Sequence, residues 1–176
     1  MGAQNRKEPS FEDCLPKLLN LQLFSEFKSD NEKDVKILKD VFDQLSVKYV
    51  NAGDTIIKEG DMGEDFFILM KGNVKVLRDT MAGDRIALAD LRDEMGIFFG
   101  EAALIGADKR SATVIATTDC RLCVISGKKF KEICDKEPVL GYRVMLCLAN
   151  RMRATLNKTN NDMTTLYEAL FDEIVN

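Results

Sequence analysis

Residues 46–126 alternate short β-branched and aromatic runs with turns that contain glycine, and this alternation restricts the fold more than any other feature of the sequence. Short strands at near-regular spacing with glycine-rich turns are typical of an antiparallel barrel or jelly roll. The turns fall at 51–54, 60–63, 71–73 and 82–84. Seven strands are predicted: Val47–Val50, Thr55–Lys58, Phe66–Met70, Val74–Arg78, Arg85–Leu91, Ala112–Thr117 and Arg121–Ile125.

Helical patterns precede and follow this β-rich region. Apolar residues recur at helical spacing from Phe11, and Asp30 is predicted to cap a second helix. The predicted fold class is therefore α+β but mainly β, an antiparallel β-roll or jelly roll with N-terminal and C-terminal helices packed outside. The predicted organisation is a flexible N-terminus (1–10), N-terminal helices (11–45), the β-roll (46–126) and C-terminal helices (127–176).

The C-terminal region is predicted to contain three helices. Ser126 is placed to cap the first, Lys128–Asp135, and Pro138 opens a long second one. The polar run 157–162 predicts a break or bend, with Asn161 or Asp162 capping the last helix.

Charge and hydropathy limit the partners of the chain. Its 29 acidic and 25 basic residues give a net charge of −4, whereas affinity for nucleic acid depends on a basic face. No apolar run approaches the ~20 residues that span a bilayer, and Met1–Ser10 is polar rather than signal-like. We therefore expect neither DNA nor a membrane as a partner.

Cysteine and histidine usage bears on compartment and chemistry. Five cysteines are an odd number, which fits reduced thiols in the cytoplasm better than a disulfide framework. Cys120 and Cys123 have C-x-x-C spacing, but in a strand residues three apart point to opposite faces. The chain has no histidine, which excludes the commonest general base, Ser-His and Cys-His nucleophile pairs, and the metal-binding jelly rolls that depend on imidazole. We expect no enzyme activity, no metal and a cytoplasmic location.

The stretch Phe99–Ala112 carries the candidate chemistry. Ala102–Ile105 can form one helical turn after Gly100, and the unpaired N–H groups of such a turn suit an anion. Arg110 follows, and its planar guanidinium can hold two phosphate oxygens at once. Glu101 cannot serve a phosphate but can accept hydrogen bonds from sugar hydroxyls. Phosphate beside sugar indicates a nucleotide; an ordinary surface ion pair between Glu101 and Arg110 is the alternative.

The same stretch resembles a known family. Phe99-Gly100-Glu101-x-Ala103-Leu104-Ile105, followed by Arg110-Ser111-Ala112, is similar to the phosphate-binding cassette of cyclic nucleotide-binding domains. The resemblance extends over about Leu21 to Thr155 and places the cassette at residues 99–112. It implies a regulatory or sensor module that binds cAMP and relays occupancy to a protein effector through its C-terminal helices. Because no helix-turn-helix, kinase or channel segment accompanies it, we expect a stand-alone sensor domain or a fragment of a larger protein.

The resemblance also implies roles for the cassette residues. Arg110 pairs with the exocyclic oxygens of the cyclic phosphate, Glu101 accepts the ribose 2′-hydroxyl, and Gly100 lets the backbone approach the sugar. Phe99 opens the cassette. Further phosphate donors are the backbone N–H groups of Ala102, Ala103, Ser111 and Ala112.

Residues outside the cassette complete the implied pocket. Thr155 hydrogen-bonds the purine edge and Arg151, one helical turn before it, pairs with Glu101. Thr155 has a simpler interpretation as a polar residue at the boundary of an amphipathic helix. The implied contacts to the base are Val76, Leu88 and Ala89.

Three positions depart from the family pattern or leave it ambiguous. Lys109 stands where proline is common, which adds a cation but loosens the turn, and Ala102 is smaller than the usual aliphatic residue. Threonine at the position of Ser111 often favours cGMP, and serine also carries a hydroxyl. We expect cAMP as the ligand, with cGMP as the alternative.

An apolar stripe on the C-terminal helices leaves a second function open. It could form a homodimer or bind a partner protein, and the chain would then be a scaffold with a vestigial pocket. It could equally fold back onto the β-roll as a lid. The stripe comprises Met152, Leu156, Met163, Leu166 and Leu170.

Overall fold

The computed structural model describes residues 10–106 and 108–175. Single 3₁₀ turns occupy Gln22–Phe24 and Asp93–Met95. The predicted flexible N-terminus lies outside the described residues except for Ser10, whose hydroxyl accepts the N–H of Asp13 in a capping box. The α-helices within the described ranges are α1 (Phe11–Asn20), α2 (Glu32–Phe42), α3 (Ala102–Ile105), α4 (Gly127–Lys136) and α5 (Pro138–Val175).

The strands within the described ranges form three antiparallel sheets. They are β1 (Ser46–Val50), β2 (Thr55–Ile57), β3 (Met62–Gly63), β4 (Asp65–Lys71), β5 (Asn73–Asp79), β6 (Arg85–Arg92), β7 (Phe98–Phe99), β8 (Asp108–Lys109), β9 (Thr113–Ala116) and β10 (Cys120–Ser126). Two sheets have four strands, in the orders β1-β10-β4-β7 and β2-β9-β5-β6, and the third pairs β3 with β8. All seven predicted strands are confirmed to within one residue at each end, and so is the mainly β fold class. The strands β3, β7 and β8 were not predicted, because two residues are too short to show alternation.

Strand β10 lies between two hydrophobic clusters and shows why the two sheets and the helices hold together. Leu122 and Val124 belong to the cluster between the sheets. Cys123 and Ile125, one residue out of phase, belong to the cluster shared with α1, α2, α4 and α5. Both faces of β10 are therefore covered, which accounts for its apolar run from Leu122 to Ile125.

The C-x-x-C pair behaves as the strand periodicity predicts. Cys120 packs in the cluster between the sheets and Cys123 in the cluster under the helices, so the two thiols lie on opposite faces of β10. All five cysteines are free thiols. Burial raises the pKa of Cys123 to about 12, so its thiol stays protonated and unreactive at neutral pH. Among the described residues, no cluster of three or more Cys, Asp or Glu could hold a metal.

The cap of α2 differs from the prediction. Asn31, not Asp30, is the N-cap: its backbone is extended (φ −105°, ψ 108°), and its side-chain oxygen accepts the N–H groups of Lys33 at 3.0 Å and Asp34 at 3.3 Å. Both residue types make good caps, and the sequence alone does not fix which one has the extended backbone. Ser126 caps α4 as predicted, accepting the N–H of Lys129 at 3.3 Å.

The predicted break at 157–162 is wrong, because α5 runs without interruption from Pro138 to Val175. The run contains neither glycine nor proline. The hydroxyls of Thr164 and Thr165 donate to the carbonyls of Asn160 and Asn161 at 3.0 and 3.1 Å, within the helix rather than against it. Neither Asn161 nor Asp162 caps a helix. No helix within the described ranges is long and apolar enough to cross a membrane.

Candidate functional site

A half-open cavity of about 810 Å³ lies among the cassette, strands β5 and β6, and the middle of α5. Its volume is within the range of small-molecule sites. The structure brings twelve of the thirteen predicted site residues to its wall and leaves out Ala103. The twelve are Val76, Leu88, Ala89, Phe99, Gly100, Glu101, Ala102, Arg110, Ser111, Ala112, Arg151 and Thr155.

Arg110 is fixed at the cavity wall through its backbone and its side chain. Its N–H donates to the carbonyl of Asp61, and its own carbonyl accepts the N–H of Gly60, both at 2.9 Å. The guanidinium donates from Nη2 to the carbonyl of Asp65 at 2.7 Å and from Nη1 to that of Gly100 at 3.4 Å. A guanidinium has five N–H donors, so these two carbonyls orient the group and leave donors for an anion.

Two glycines make room for this side chain. A Cβ on Gly63 would overlap the Arg110 guanidinium, and a Cβ on Gly100 would lie 2.8 Å from Nη1 and 2.9 Å from the Asp65 carbonyl. Gly100 also has φ +74°, a conformation that side chains disfavour. Sequence reasoning missed Gly63, which it treated only as a turn residue. Nothing in the sequence shows that a side chain 47 positions later crosses over it.

The electrostatics of Arg110 suit an anion site. Burial lowers the pKa of its guanidinium, and the carboxylates of Asp65 and Glu101 act in the opposite direction. Arginine stays charged under any ordinary condition, so the cavity holds a partly desolvated positive charge. The guanidinium carbon lies 5.9 Å from the centroid of the Phe67 ring.

The backbone N–H groups of the cassette divide into two sets. Ala103 donates its N–H to the carbonyl of Gly100 at 3.1 Å, and Ala103 is buried away from the cavity. It is therefore not placed to donate to a ligand as the resemblance implied. Within the part of the chain that the structure describes, no hydrogen bond uses the N–H groups of Ala102, Ser111 or Ala112.

Glu101 connects the cassette to α5. Arg151 Nη2 lies 3.8 Å from Glu101 Oε1, so these two side chains form the pair that the sequence predicted. The guanidinium carbon of Arg151 also lies 4.6 Å from the centroid of the Phe98 ring, a favourable cation–π contact. Both side chains are more than one-third exposed, so the pair adds little stability but fixes where the helix meets the cassette.

The opposite wall is an apolar platform. Val76 on β5 lies directly between Ala89 on β6 and Val114 on β9, so these side chains form one row across the sheet. Leu88 lines the cavity and is 53% exposed, which leaves it free to contact a flat ring. Such a surface suits the face of a base rather than its polar edge.

Sequence reasoning missed other wall residues that its own periodicities could have found. Arg78 follows Val76 by two positions on β5 and so shares its face. Met152 and Thr159 follow Leu148 and Thr155 by four positions on α5. Phe98 had no such signal, because β7 is too short.

Comparison with known proteins agrees with this geometry. Residues 47–137, slightly more than half of the chain, match the family model described as the cyclic nucleotide-binding domain. The chain is 43% identical over 92 residues to cGMP-dependent protein kinase 2 of Homo sapiens, covering 52% of this chain and 12% of the kinase. It is 33% identical over 108 residues to the cAMP-activated global transcriptional regulator CRP of Escherichia coli O6:H1, covering 61% of this chain and 50% of that protein.

A solved structure has the same fold. The catabolite activator protein of Thermus thermophilus aligns with a TM-score of 0.67 at 22% identity, covering 79% of this chain and 62% of that chain. The chain covers half or less of the length of the two relatives matched by sequence, the kinase and the regulator CRP. From the match to the family model, the chain belongs to the cyclic nucleotide-binding domain family.

Proposed function

We propose that the cavity binds a cyclic nucleotide, preferably cAMP, and that occupancy is relayed through α5. The observation that carries this proposal is the Arg110 guanidinium, oriented by two backbone carbonyls at a wall that also presents Glu101. In the proposed complex, Arg110 and the N–H groups of Ala102, Ser111 and Ala112 hold the cyclic phosphate, and Glu101 accepts the ribose 2′-hydroxyl. Each charge-assisted hydrogen bond to the phosphate contributes about 1.5–3 kcal/mol.

The proposed relay depends on α5. Thr155 and Arg151 reach the cavity from this helix, so a nucleotide that contacts them binds one position of α5 better than another. A ligand shifts such an equilibrium by its difference in affinity for the two positions. Arg151 pairs with Glu101, and in the proposed complex a ribose hydroxyl competes for the same carboxylate.

A cGMP-binding version is the second candidate. Two observations favour it: the 43% identity to a kinase named as cGMP-dependent, and the hydroxyl of Ser111 at the cavity wall. The relative named as cAMP-activated, at 33% identity over a longer stretch, supports the cAMP preference. Thermal unfolding with each nucleotide separates the candidates, because the ligand that binds more tightly stabilises more.

We expect cAMP at about 100 times its Kd to add about 2.7 kcal/mol to the free energy of unfolding. For a chain of this size that corresponds to a rise in Tm of about 5 °C or more. A larger rise with cGMP at the same concentration would favour the second candidate. No rise with either nucleotide would favour a scaffold with a vestigial pocket.

Ser111→Ala tests the specificity directly. The hydroxyl is expected to contribute to cGMP and not to cAMP, so the variant should lose about fivefold in cGMP affinity, or ~1 kcal/mol. The affinity for cAMP should stay unchanged. Parallel titrations of the variant and the unchanged chain measure both values, and an equal loss for both nucleotides would contradict a specificity role.

Gly63→Ala tests the position of Arg110 without removing its charge. The added Cβ overlaps the guanidinium, which is the flexible end of a side chain, so the side chain must move while the fold is retained. We expect cAMP affinity to fall about tenfold, or ~1.4 kcal/mol. Gly106→Ala is the matched control, because Gly106 has extended backbone (φ −174°) and open space around its Cβ position. Equal affinities in the two variants would contradict the assigned position of Arg110.

The stripe of Met152, Leu156, Met163, Leu166 and Leu170 is exposed along α5, and we propose it as the surface for an effector protein or a second copy of the chain. Met152 and Leu156 also line the cavity mouth, which would couple that surface to occupancy. The proposed module is cytoplasmic and acts by binding rather than catalysis.

A further inference from the structure

Arg78 on β5 lines the nucleotide cavity but has no role in the nucleotide complex proposed above. It follows Val76, a residue of the apolar platform, by two positions on a strand whose register with β9 is regular. Alternate residues of a strand share a face, so β5 presents first an apolar and then a charged side chain to the cavity. Arg78 is 61% exposed in its side chain, and so a ligand can reach it.

The register of β5 with β9 places Arg78 at the phosphate end of the cavity. Leu77 is the partner of Thr113 on β9, and continuing this register by one residue brings Arg78 beside Ala112, which also lines the cavity. Ala112 comes two positions after Arg110, and its N–H is proposed to donate to the cyclic phosphate. Arg78 therefore borders the part of the wall that is proposed to hold the phosphate.

Glu59 agrees with this placement and holds the arginine loosely. Its backbone N–H donates to Thr113 Oγ1 at 3.1 Å, and its Oε1 lies 3.9 Å from Arg78 Nε, which is longer than a hydrogen bond. Within residues 10–106 and 108–175, this ion pair is the polar contact of the Arg78 guanidinium. Exposed pairs of this kind contribute little, so the guanidinium can turn to another anion at small cost.

The Glu59 carboxylate does not depend on Arg78 for a partner. Its Oε2 accepts the N–H of Asp79 at 3.0 Å. It therefore keeps this hydrogen bond, and its contact with water, when Arg78 moves toward a ligand.

A second arginine at this end of the cavity fits the chemistry of a cyclic phosphate. The two exocyclic oxygens of the phosphate share a negative charge, and each can accept more than one hydrogen bond. Arg110 already donates to the carbonyls of Asp65 and Gly100, whereas the five N–H donors of Arg78 face water and a distant carboxylate. A guanidinium that donates to a phosphate oxygen forms a charge-assisted hydrogen bond, which is stronger than a bond between neutral groups.

We propose that Arg78 is a second phosphate-binding residue of this site, a role that rests on the proposed nucleotide function. Its guanidinium turns from Glu59 and donates to one exocyclic oxygen from the β5 side, while Arg110 holds the phosphate from the cassette side. The sheet then supplies a charged contact to the phosphate as well as an apolar surface to the base.

Arg78→Gln tests this contact with three ligands, namely cAMP and its two phosphorothioate diastereomers, each with sulfur in place of one exocyclic oxygen. Calorimetric titration of the whole chain measures each affinity. We expect the affinity for cAMP to fall about tenfold, or ~1.4 kcal/mol. Sulfur is a weak hydrogen-bond acceptor, so one diastereomer already lacks the full contact to Arg78. Relative to cAMP, that diastereomer should bind about fivefold better in Arg78→Gln than in the unchanged chain, or ~1 kcal/mol, and the other should keep its relative affinity.

Arg85→Gln is the matched control. Arg85 is an exposed arginine of the same β5–β6 hairpin, pairs with the carboxylate of Asp79 and does not line the cavity. Its substitution removes the same charge, and the affinities for all three ligands should equal those of the unchanged chain.

Two results would overturn the role of Arg78 and leave the proposed function standing. One is an equal affinity for cAMP in Arg78→Gln and Arg85→Gln. The other is an equal loss for all three ligands in Arg78→Gln, which would mean that the substitution alters the shape of the cavity rather than a contact to one oxygen. Absence of cAMP binding to the unchanged chain would instead overturn the proposed function, and the role of Arg78 with it.

Discussion

Arg110→Ala is expected to weaken cyclic nucleotide binding by at least about a hundredfold, or ~2.8 kcal/mol, while the domain stays folded. The guanidinium is proposed to hold two phosphate oxygens, and the alanine removes both hydrogen bonds and the charge. The Arg110 guanidinium now donates to the carbonyls of Asp65 and Gly100. After the substitution, water from the open cavity can donate to these carbonyls instead. Displacement of a fluorescent cAMP analogue measures the loss.

Arg85→Ala is the matched control for this variant. Arg85 is exposed on β6, pairs with Asp79 and does not line the cavity. Arg85→Ala removes the same charge as Arg110→Ala, so a general electrostatic effect on nucleotide affinity would appear in both variants. An affinity of Arg110→Ala within threefold of that of the control would contradict the phosphate role.

Asp34→Ala is expected to have the largest effect on stability, about 3–5 kcal/mol off the free energy of unfolding. The Asp34 carboxylate is 5% exposed and joins α2 to α5. Its Oδ1 accepts Arg143 Nη1 at 2.8 Å and its Oδ2 accepts the N–H of Lys28 at 3.0 Å. The alanine leaves two buried or half-buried donors without an acceptor, and the contact that the Arg143 guanidinium keeps among residues 10–106 and 108–175 is the Phe27 ring, 4.7 Å away.

Urea denaturation of the unchanged chain and of Asp34→Ala measures the loss in the free energy of unfolding. Asp43→Ala is the control, because Asp43, at the other end of α2, also pairs with a cation, Lys39, but at an exposed position, where such pairs contribute little. The urea concentration at the unfolding midpoint should be almost the same for Asp43→Ala as for the unchanged chain. If Asp34→Ala lost less than about 1 kcal/mol of the free energy of unfolding, water would already satisfy the Asp34–Arg143 pair. That result would contradict the burial of the Asp34 carboxylate.

The β-roll and most of the cavity wall could be predicted from the sequence because their signals are local. Strand alternation and glycine turns placed seven strands, and the run from Phe99 to Ala112 identified the cassette. The Arg151–Glu101 pair also followed from helical spacing and the resemblance. In each case the residues that act together are close in sequence or repeat at a fixed period.

What could not be predicted depends on long-range packing. Gly63 must be small because of Arg110, and Asp34 is buried because Arg143 approaches it from a helix more than 100 residues later. The break expected at 157–162 failed for another reason. Polar residues weaken a helix without ending it, and the hydroxyls of Thr164 and Thr165 bond within the helix.

Isothermal titration calorimetry of the whole chain with cAMP and cGMP in parallel tests whether the cavity is a nucleotide site. We expect one saturable site per chain, tighter for cAMP, with 5′-AMP as a weaker ligand because its phosphate is not a cyclic diester. Absence of saturable binding for both cyclic nucleotides would contradict the claim that this cavity is a functional nucleotide site.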